Sequence, residues 1–288
     1  MKISITDKVL NYINISLLVI ISLACLFPFI NVLATSFSSD NAITSGKVTM
    51  YPIGFNLDYY NKVLPDPAML KSLQFTSITT VIFVILALFA TTCAAYPLSK
   101  KNLKGRKTIT MLITFTMYFT GGIIPTFIMV KNLNLIDTMW SLIFPIMINT
   151  YYLIIMKSFF SSIPESLTEA AIIDGCNEIE VLFRIVLPLS LPIIATMALF
   201  YAVQRWNTVQ DAIFYITSTD KYPLQMKLRA LVLLNQVNDQ QDVQITKTIN
   251  TEGLKAASLI YATVPILIAY PWLQKYFVKG MTIGAVKG

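Results

Sequence analysis

Six stretches of this chain contain no Asp, Glu, Lys or Arg and are long enough to cross a bilayer: residues 9–39, 72–99, 108–130, 138–156, 185–204 and 256–274. A helix rises ~1.5 Å per residue, so about 20 apolar residues span a ~30 Å hydrocarbon core. Inside that core no water reaches the backbone, so each segment must satisfy its own N–H and C=O groups. Alternating strands of ~10 residues are not seen, which favours helices over a barrel. The expected fold is an all-α integral membrane protein with six transmembrane helices, at about 13–37, 73–98, 109–130, 138–158, 187–205 and 256–275. They form a single transmembrane domain covering 1–288, with a polar loop at 159–186 and a long loop at 206–255.

Composition supports this reading. The chain is 55% hydrophobic and only 13% charged, where a soluble domain carries about a quarter charged residues. A net charge of +7 could suit nucleic acid, but the positives are scattered or gathered in one short loop. They are not interleaved with aromatics, so the lipid bilayer is the expected partner and nucleic acid is not. Cys25, Cys93 and Cys176 have no metal-binding spacing, and two of them lie in apolar runs where a thiol acts as a small hydrophobe. Histidine is absent. The commonest proton shuttle and metal ligand is therefore missing, and an enzyme built on that chemistry is not expected.

The first run has a second reading. Lys2 and Lys8 followed by Ile13–Phe29 have the form of a cleavable signal peptide, and Ser22-Leu23-Ala24-Cys25 faintly resembles a lipoprotein processing site. The apolar stretch continues past Cys25 to Phe37 and five more spans follow, which favours a retained helix.

Orientation follows from short-loop positive charge. Lys100, Lys101, Lys104, Arg106 and Lys107 crowd the loop between spans two and three, which places it in the cytoplasm. Alternation then puts both termini and the Lys157–Arg184 loop inside, and 38–71, 131–137 and 205–255 outside. Pro28, Gly121-Gly122, Pro125, Pro145, Pro265 and Pro271 interrupt or flank the spans. They serve either as ordinary kinks or as bends that shape a translocation cavity.

The largest acidic interruption is Pro164–Pro192, with Glu165, Glu169, Asp174, Glu178 and Glu180 between Lys157 and Arg184. Pro164 suits a first helical turn, and Ser166-x-x-Glu169 has the form of a capping box. Leu167, Ala170, Ala171 and Ile173 supply a small apolar face. Gly175 permits a left-handed turn. Asn177-x-x-Glu180 repeats the capping pattern, and Leu187-Pro188 with Pro192 ends the second helix. The expected form is two short helices hinged at Gly175. An interfacial helix lying on lipid is the alternative, although anionic headgroups would repel its acidic face.

Glu169-Ala170-Ala171, then three residues, Gly175, then nine, then Ile185-Val186-Leu187-Pro188 resembles the EAA signature of bacterial ABC importer permeases, in its usual place before the penultimate helix. Cys176 stands where that family often has alanine. Pro125, Leu133–Thr138, Trp206-Asn207, Tyr222–Gln225 with Leu228-Arg229, and the ending Tyr270–Gly280 with Ile283–Gly288 resemble its carbohydrate-uptake branch, the maltose-type permeases, and within it an oligosaccharide and polysaccharide subgroup.

The resemblance implies a permease subunit in the plasma (inner) membrane of a bacterium. Its partners would be a second permease, two ATPase subunits and an extracytoplasmic solute-binding protein. ATP and Mg would be bound by the ATPase subunits, with no cofactor on this chain; a phosphate loop of the form G-x-x-x-x-G-K-[ST] is absent from the sequence. ATPase coupling would fall to Glu169, Ala170, Ala171, Asp174, Gly175, Leu187 and Pro188. Sugars favour aromatic faces with amide partners, so Asn149, Tyr151, Tyr152, Gln204, Trp206 and Asn207 are the substrate-path candidates. Interfacial anchoring of Trp and Tyr or helix–helix gluing would explain the same residues. The tail Lys279–Gly288 would contact the ATPases and 205–255 the binding protein. A permease for peptides or amino acids is the nearest alternative. An ion-coupled transporter would need an ionisable residue within a span, and the six runs hold none.

Overall fold

The computed structural model describes the backbone of residues 5–238 and 251–285, with the side chains of Lys8, 10–231 and 251–268. The described residues are helical and contain no strand. The helices are α1 (Ile5–Ser36), α2 (Asp40–Thr44), α3 (Asp58–Val63), α4 (Pro67–Ser99), α5 (Arg106–Phe115), α6 (Ile123–Asn132) and α7 (Thr150–Phe160). They continue as α8 (Glu165–Ile173), α9 (Glu178–Val181), α10 (Leu187–Leu189), α11 (Leu191–Asn207), α12 (Gln210–Tyr215), α13 (Leu224–Asn238) and α14 (Thr251–Ala285). By contacts the chain divides into one unit of Met1–Leu70 and Leu228–Val264 and another of Lys71–Lys227 and Pro265–Gly288.

In the first unit, α1 runs through Pro28 without breaking and leaves Leu17, Leu18, Ile20 and Leu23 exposed. A helix apolar on every side and uncovered by its own chain suits lipid or another membrane subunit. Its end passes into a tightly packed loop. Phe37 stacks on Phe55 and Tyr60, with ring centroids 5.5 and 4.8 Å apart, and Asn31 donates to the Thr49 carbonyl at 2.9 Å. The first turn of α14 comes so close that a Cβ on Gly253 would lie 2.1 Å from the Tyr59 ring.

The second unit is built around α4. Thr76, Thr79, Phe83, Ala87, Thr91 and Ala95 are buried, while Ile78, Val81, Ile85 and Phe89 face outward. The inward face is small and hydroxylated, which lets membrane helices approach closely and hydrogen-bond. Tyr201 of α11 uses it: its ring meets Phe83 edge-on at 5.7 Å, and its hydroxyl lies 2.6 Å from Thr91 Oγ1. Phe83, Ala95, Tyr96, Met156, Phe160, Ala171, Val181, Val186 and Tyr201 share one core.

Several expected spans take a different form. The expected helix over 109–130 is two helices, because α5 ends at Phe115 and α6 begins only after Gly122, whose φ of +83° leaves the helical region. The 138–158 span begins as 3₁₀ turns and bends by 55° before α7. Pro145 has no N–H to continue a helix, and Asn149 starts a new one by capping it. Entry to the 187–205 span is a bend of 81° between Glu178–Leu189 and Leu191–Asn207. By contrast, α14 continues through positions 265 and 271, so neither proline breaks it.

The stretch expected as a long loop at 206–255 holds α12 and α13. Helix α13 continues to Asn238, and residues 239–250 lie outside the described residues. Among the described residues, length and composition give three helices that can cross a membrane, or up to five if each bent pair is one span, and α6 is a shorter apolar helix.

Candidate functional site

The acidic stretch folds as a helix–turn–helix, for reasons that can be traced residue by residue. Pro164, with φ −56° and ψ 128°, stands at the N-cap position, so α8 begins at Glu165, ahead of where a Ser166 cap would start it. Ser166 lies inside the first turn and makes no capping bond. The expected Ser166–Glu169 capping box is therefore not formed. The other end of α8 closes as anticipated. Gly175 has φ +91°, its N–H donates to the Ile172 carbonyl at 3.0 Å, and the Cys176 N–H donates to the Ala171 carbonyl at 2.9 Å. These two bonds make a Schellman motif, which needs a residue at ease in the left-handed region.

Asn177 then opens α9 with a complete capping box. Its Oδ1 accepts from the N–H groups of Ile179 and Glu180, both at 3.0 Å, and Glu180 Oε2 accepts from the Asn177 N–H at 2.9 Å. After α9 the ladder widens into a π segment, Leu182–Val186, before Pro188. Such segments are rare and concentrate at functional sites.

Of the residues expected to couple to a partner, Glu169, Ala170, Asp174, Gly175 and Pro188 are exposed and Leu187 is half-buried. Ala171 is not presented outward; it is buried in the chain's own core. Ile173 beside them is 85% exposed, an apolar group that would be covered in an assembly. Glu178 and Glu165, which the sequence reading left without a role, tie the piece down. The Tyr96 hydroxyl donates to Glu178 Oε2 at 2.6 Å. Lys100 Nζ lies 3.1 Å from the same oxygen and 4.8 Å from the centre of the Tyr96 ring. Tyr96 and then Lys100 hold the Glu178 carboxyl below the usual carboxylate range. Lys101 pairs with Glu165 at 3.1 Å. The sequence signal was the Tyr96-x-x-x-Lys100 spacing, which brings both to one side of the chain where α4 ends.

The substrate-path candidates fall at two places, Asn149, Tyr151 and Tyr152 at the start of α7 and Gln204, Trp206 and Asn207 at the end of α11. Asn149 is the N-cap of α7, its Oδ1 accepting from Tyr151 and Tyr152 N–H. The Tyr152 ring packs against Phe200 and Tyr201 at 5.6 and 4.9 Å. Trp206 is buried, and the Asn207 amide donates to the Val203 carbonyl at 2.9 Å. Tyr151 is exposed, while the Gln204 Oε1 is buried without a hydrogen-bond partner.

A second polar junction, unexpected from the sequence, lies at the far end of α4. Arg205, only 3% exposed, pairs with Asp211 through both terminal nitrogens and also donates to the carbonyls of Leu142 at 2.8 Å and Thr208 at 3.1 Å. Asp137 accepts from the N–H groups of Thr217 and Ser218 at 3.0 and 2.9 Å, from Ser218 Oγ at 2.6 Å and from Lys221 Nζ at 2.8 Å. Lys221 and Ser218 hold its carboxyl well below the usual range. Thr76 Oγ1 of α4 accepts from the Leu224 N–H at 2.8 Å. Thr76 and Tyr96 are separated along α4 by about 30 Å at ~1.5 Å per residue, the thickness of a hydrocarbon core.

Among the described residues, the absence of strands, the membrane-length apolar helices and an exposed helix–turn–helix inserted among them define an all-α membrane protein. The chain belongs to the family described as binding-protein-dependent transport system inner membrane component, which it matches over residues 84–283. Its members are membrane components of ABC importers and not enzymes. The chain is 41% identical over 98% of its length, and 99% of the relative's, to the polygalacturonan/rhamnogalacturonan transport system permease protein YtcP of Bacillus subtilis. It is 43% identical to protein LplC of the same organism, over 98% of this chain and 96% of that one. A chain of a bacterial ABC transporter that imports the acidic polysaccharide alginate superposes with a TM-score of 0.86 at 32% identity, covering 95% of this chain and 98% of that one.

Proposed function

We propose that this chain is one of two permease subunits of an importer that carries an oligosaccharide across the plasma membrane, driven by ATP and Mg bound on two partner ATPases. An extracytoplasmic solute-binding protein would deliver the cargo. The observation that carries the reading is the exposed Glu169–Gly175 turn, closed by its Schellman bonds and anchored at Glu165 and Glu178. A rigid, outward-facing piece between apolar spans is what a soluble motor can push.

In this reading the chain is one transmembrane domain over 1–288 with six spans and both termini in the cytoplasm. The bent pairs each make one span, and α5 with α6 makes another across the Thr116–Gly122 break. The ~30 Å between Thr76 and Tyr96 supports opposite membrane faces for the two polar junctions, and Lys100–Lys107 supports a cytoplasmic face for the coupling piece. Glu169, Ala170, Asp174 and Gly175 meet the ATPase, Ala171 supports them from within, and Leu187-Pro188 passes movement to α11. Tyr151 and Gln204 are the stronger substrate-path candidates. Asn149, Tyr152, Trp206 and Asn207 are engaged within the fold and shape the path from behind. The roles of 205–255 toward the binding protein and of Lys279–Gly288 toward the ATPases fall wholly or partly outside the described residues.

Galacturonan and alginate both carry carboxylates on their sugar rings, so uronate oligosaccharides are the first cargo to test. Proteoliposomes holding the chain with its co-expressed permease and ATPase subunits, with the solute-binding protein added outside, should take up labelled oligogalacturonate only when ATP is enclosed on the side bearing the ATPases. Uptake of peptides or amino acids in preference to sugars would overturn the cargo, and ATP turnover by the purified chain alone would overturn the division of labour.

A further inference from the structure

The coupling piece is fastened at two points, one at the start of each of its helices, and both to the same place. Glu178 opens α9 and is held by Tyr96 and Lys100; Glu165 opens α8 and is held by Lys101. All three anchors belong to the last turn of α4 or the two residues that follow it. The apolar contacts repeat the pattern, since Ala95 and Tyr96 share a core with Ala171, Val181 and Val186. The direct chain connection from the piece, by contrast, runs through a π segment and an 81° bend before α11. A bent, widened helix is a poor push-rod. An unbroken helix of 33 residues is a better one.

We propose, resting on the permease reading above, that Tyr96 and Lys100 are positioning residues that clamp the coupling piece to α4, so that α4 and not α11 alone carries its movement across the membrane. At its other end α4 meets the outer junction, through the Leu224 N–H on Thr76 Oγ1 and through Phe75, which packs against Leu142, Ala212 and Ile216. Along the way Thr91 holds the Tyr201 hydroxyl and Thr92 Oγ1 donates to Met156 Sδ at 3.5 Å. A shift of the cytoplasmic end is thereby transmitted to α7 and α11 as well as to the outer face. Glu178 is the pivot, because Tyr96 and Lys100 share one of its oxygens. Removing either donor should weaken the clamp, and removing both should do little more than removing the carboxylate.

The test uses the assembled importer in proteoliposomes and reads the ratio of cargo transported to ATP hydrolysed. Tyr96→Phe keeps the buried ring and loses only the hydroxyl; Lys100→Met keeps the stem and loses the charge. Each should lower the ratio about threefold, the scale of a half-exposed charged hydrogen bond, with the ATPases still co-purifying. Lys100→Arg should keep the wild-type ratio. Glu178→Ala should equal the Tyr96→Phe/Lys100→Met double variant, as expected for groups acting through one partner. A double variant with the wild-type ratio, or one whose defect is confined to protein yield, would overturn the clamp while leaving the permease reading intact. Failure of the wild-type chain to recruit any ATPase would overturn the permease reading and the clamp with it.

Discussion

The two polar junctions along α4 use the same residue types in opposite ways. At the Arg205–Asp137 end, the charges are saturated: Arg205 is buried and spreads over a carboxylate and two carbonyls, and Asp137 takes two backbone N–H groups, a hydroxyl and an ammonium. At the coupling end, each ion pair is single and at least one partner is more than half exposed, with Glu178 at 60% and Lys101 at 70%. Backbone donors tie the first junction to the fold itself, and any displacement would strand them. Side chains alone tie the second, and they can follow a moving partner. One end can move only as a block with the fold around it, and the other is built to be pushed.

The largest test of this contrast is Arg205→Met. It leaves the Asp211 carboxylate without its cation, and breaking a buried pair on one side costs about 3–5 kcal/mol. Thermal unfolding in detergent should show a large loss, mostly recovered by adding Asp211→Leu. Lys101→Met at the other end should cost less than about 1 kcal/mol, as exposed pairs do. Equal losses at the two ends would erase the distinction.

Gly175→Val comes next. Nothing lies within 4 Å of the Cβ that any substitution would add, but the φ of +91° remains, so the cost is backbone strain of roughly 1–3 kcal/mol. Because α8 is exposed, that strain should appear as a change in its pose and not as unfolding. Uptake should fall about tenfold, the factor that ~1.4 kcal/mol buys in a rate, with membrane insertion unchanged. Gly175→Asn, tolerated in the left-handed region, should lose less. Unaltered uptake in the valine variant would remove the hinge from the argument.

A smaller effect is expected at Asn177. Its side chain caps two N–H groups, and Asn→Ala at such a position costs about 1 kcal/mol. Amide exchange at Ile179 and Glu180 should quicken in Asn177→Ala and stay slow in Asn177→Asp. The same substitution at Ser166 should change nothing measurable, because Pro164 has taken the cap.

That pair shows how far the sequence could be read. Both S/N-x-x-E patterns looked alike, and only the one not preceded by a helix-starting proline formed. Gly175 was readable because a positive φ has few solutions. Charge-free runs pointed to apolar segments but could not give their continuity: Gly122 and Pro145 break the helices around them, whereas α14 runs on through Pro265. The difference lies in what satisfies the freed backbone groups nearby, such as Asn149 capping α7, and that is a tertiary matter. The Arg205–Asp211 pair was hidden for the same reason, since a charge at a span end reads as an interfacial residue until its partners are known.

The finest test of the contrast is acid. Asp137 and Glu178 both have carboxyls held below their ordinary range, so each stabilises the fold above the unfolded value of ~4 and loses that contribution as pH falls through its folded value. Asp137, on Lys221, Ser218 and a second backbone N–H, is the more strongly held. Glu178, on Tyr96 and Lys100, should protonate first. In nanodiscs titrated downward from neutral pH, with exchange rates corrected for their intrinsic pH dependence, protection around Asn177–Val181 should fall while that of the Thr217 and Ser218 amides persists. The expected separation is small, because Lys100 and Glu178 are both partly solvated and salt screens them, so raising ionic strength should narrow it from the coupling side. Simultaneous release of the two regions, or earlier release at Thr217, would mean that the outer junction is no more fixed than the coupling end.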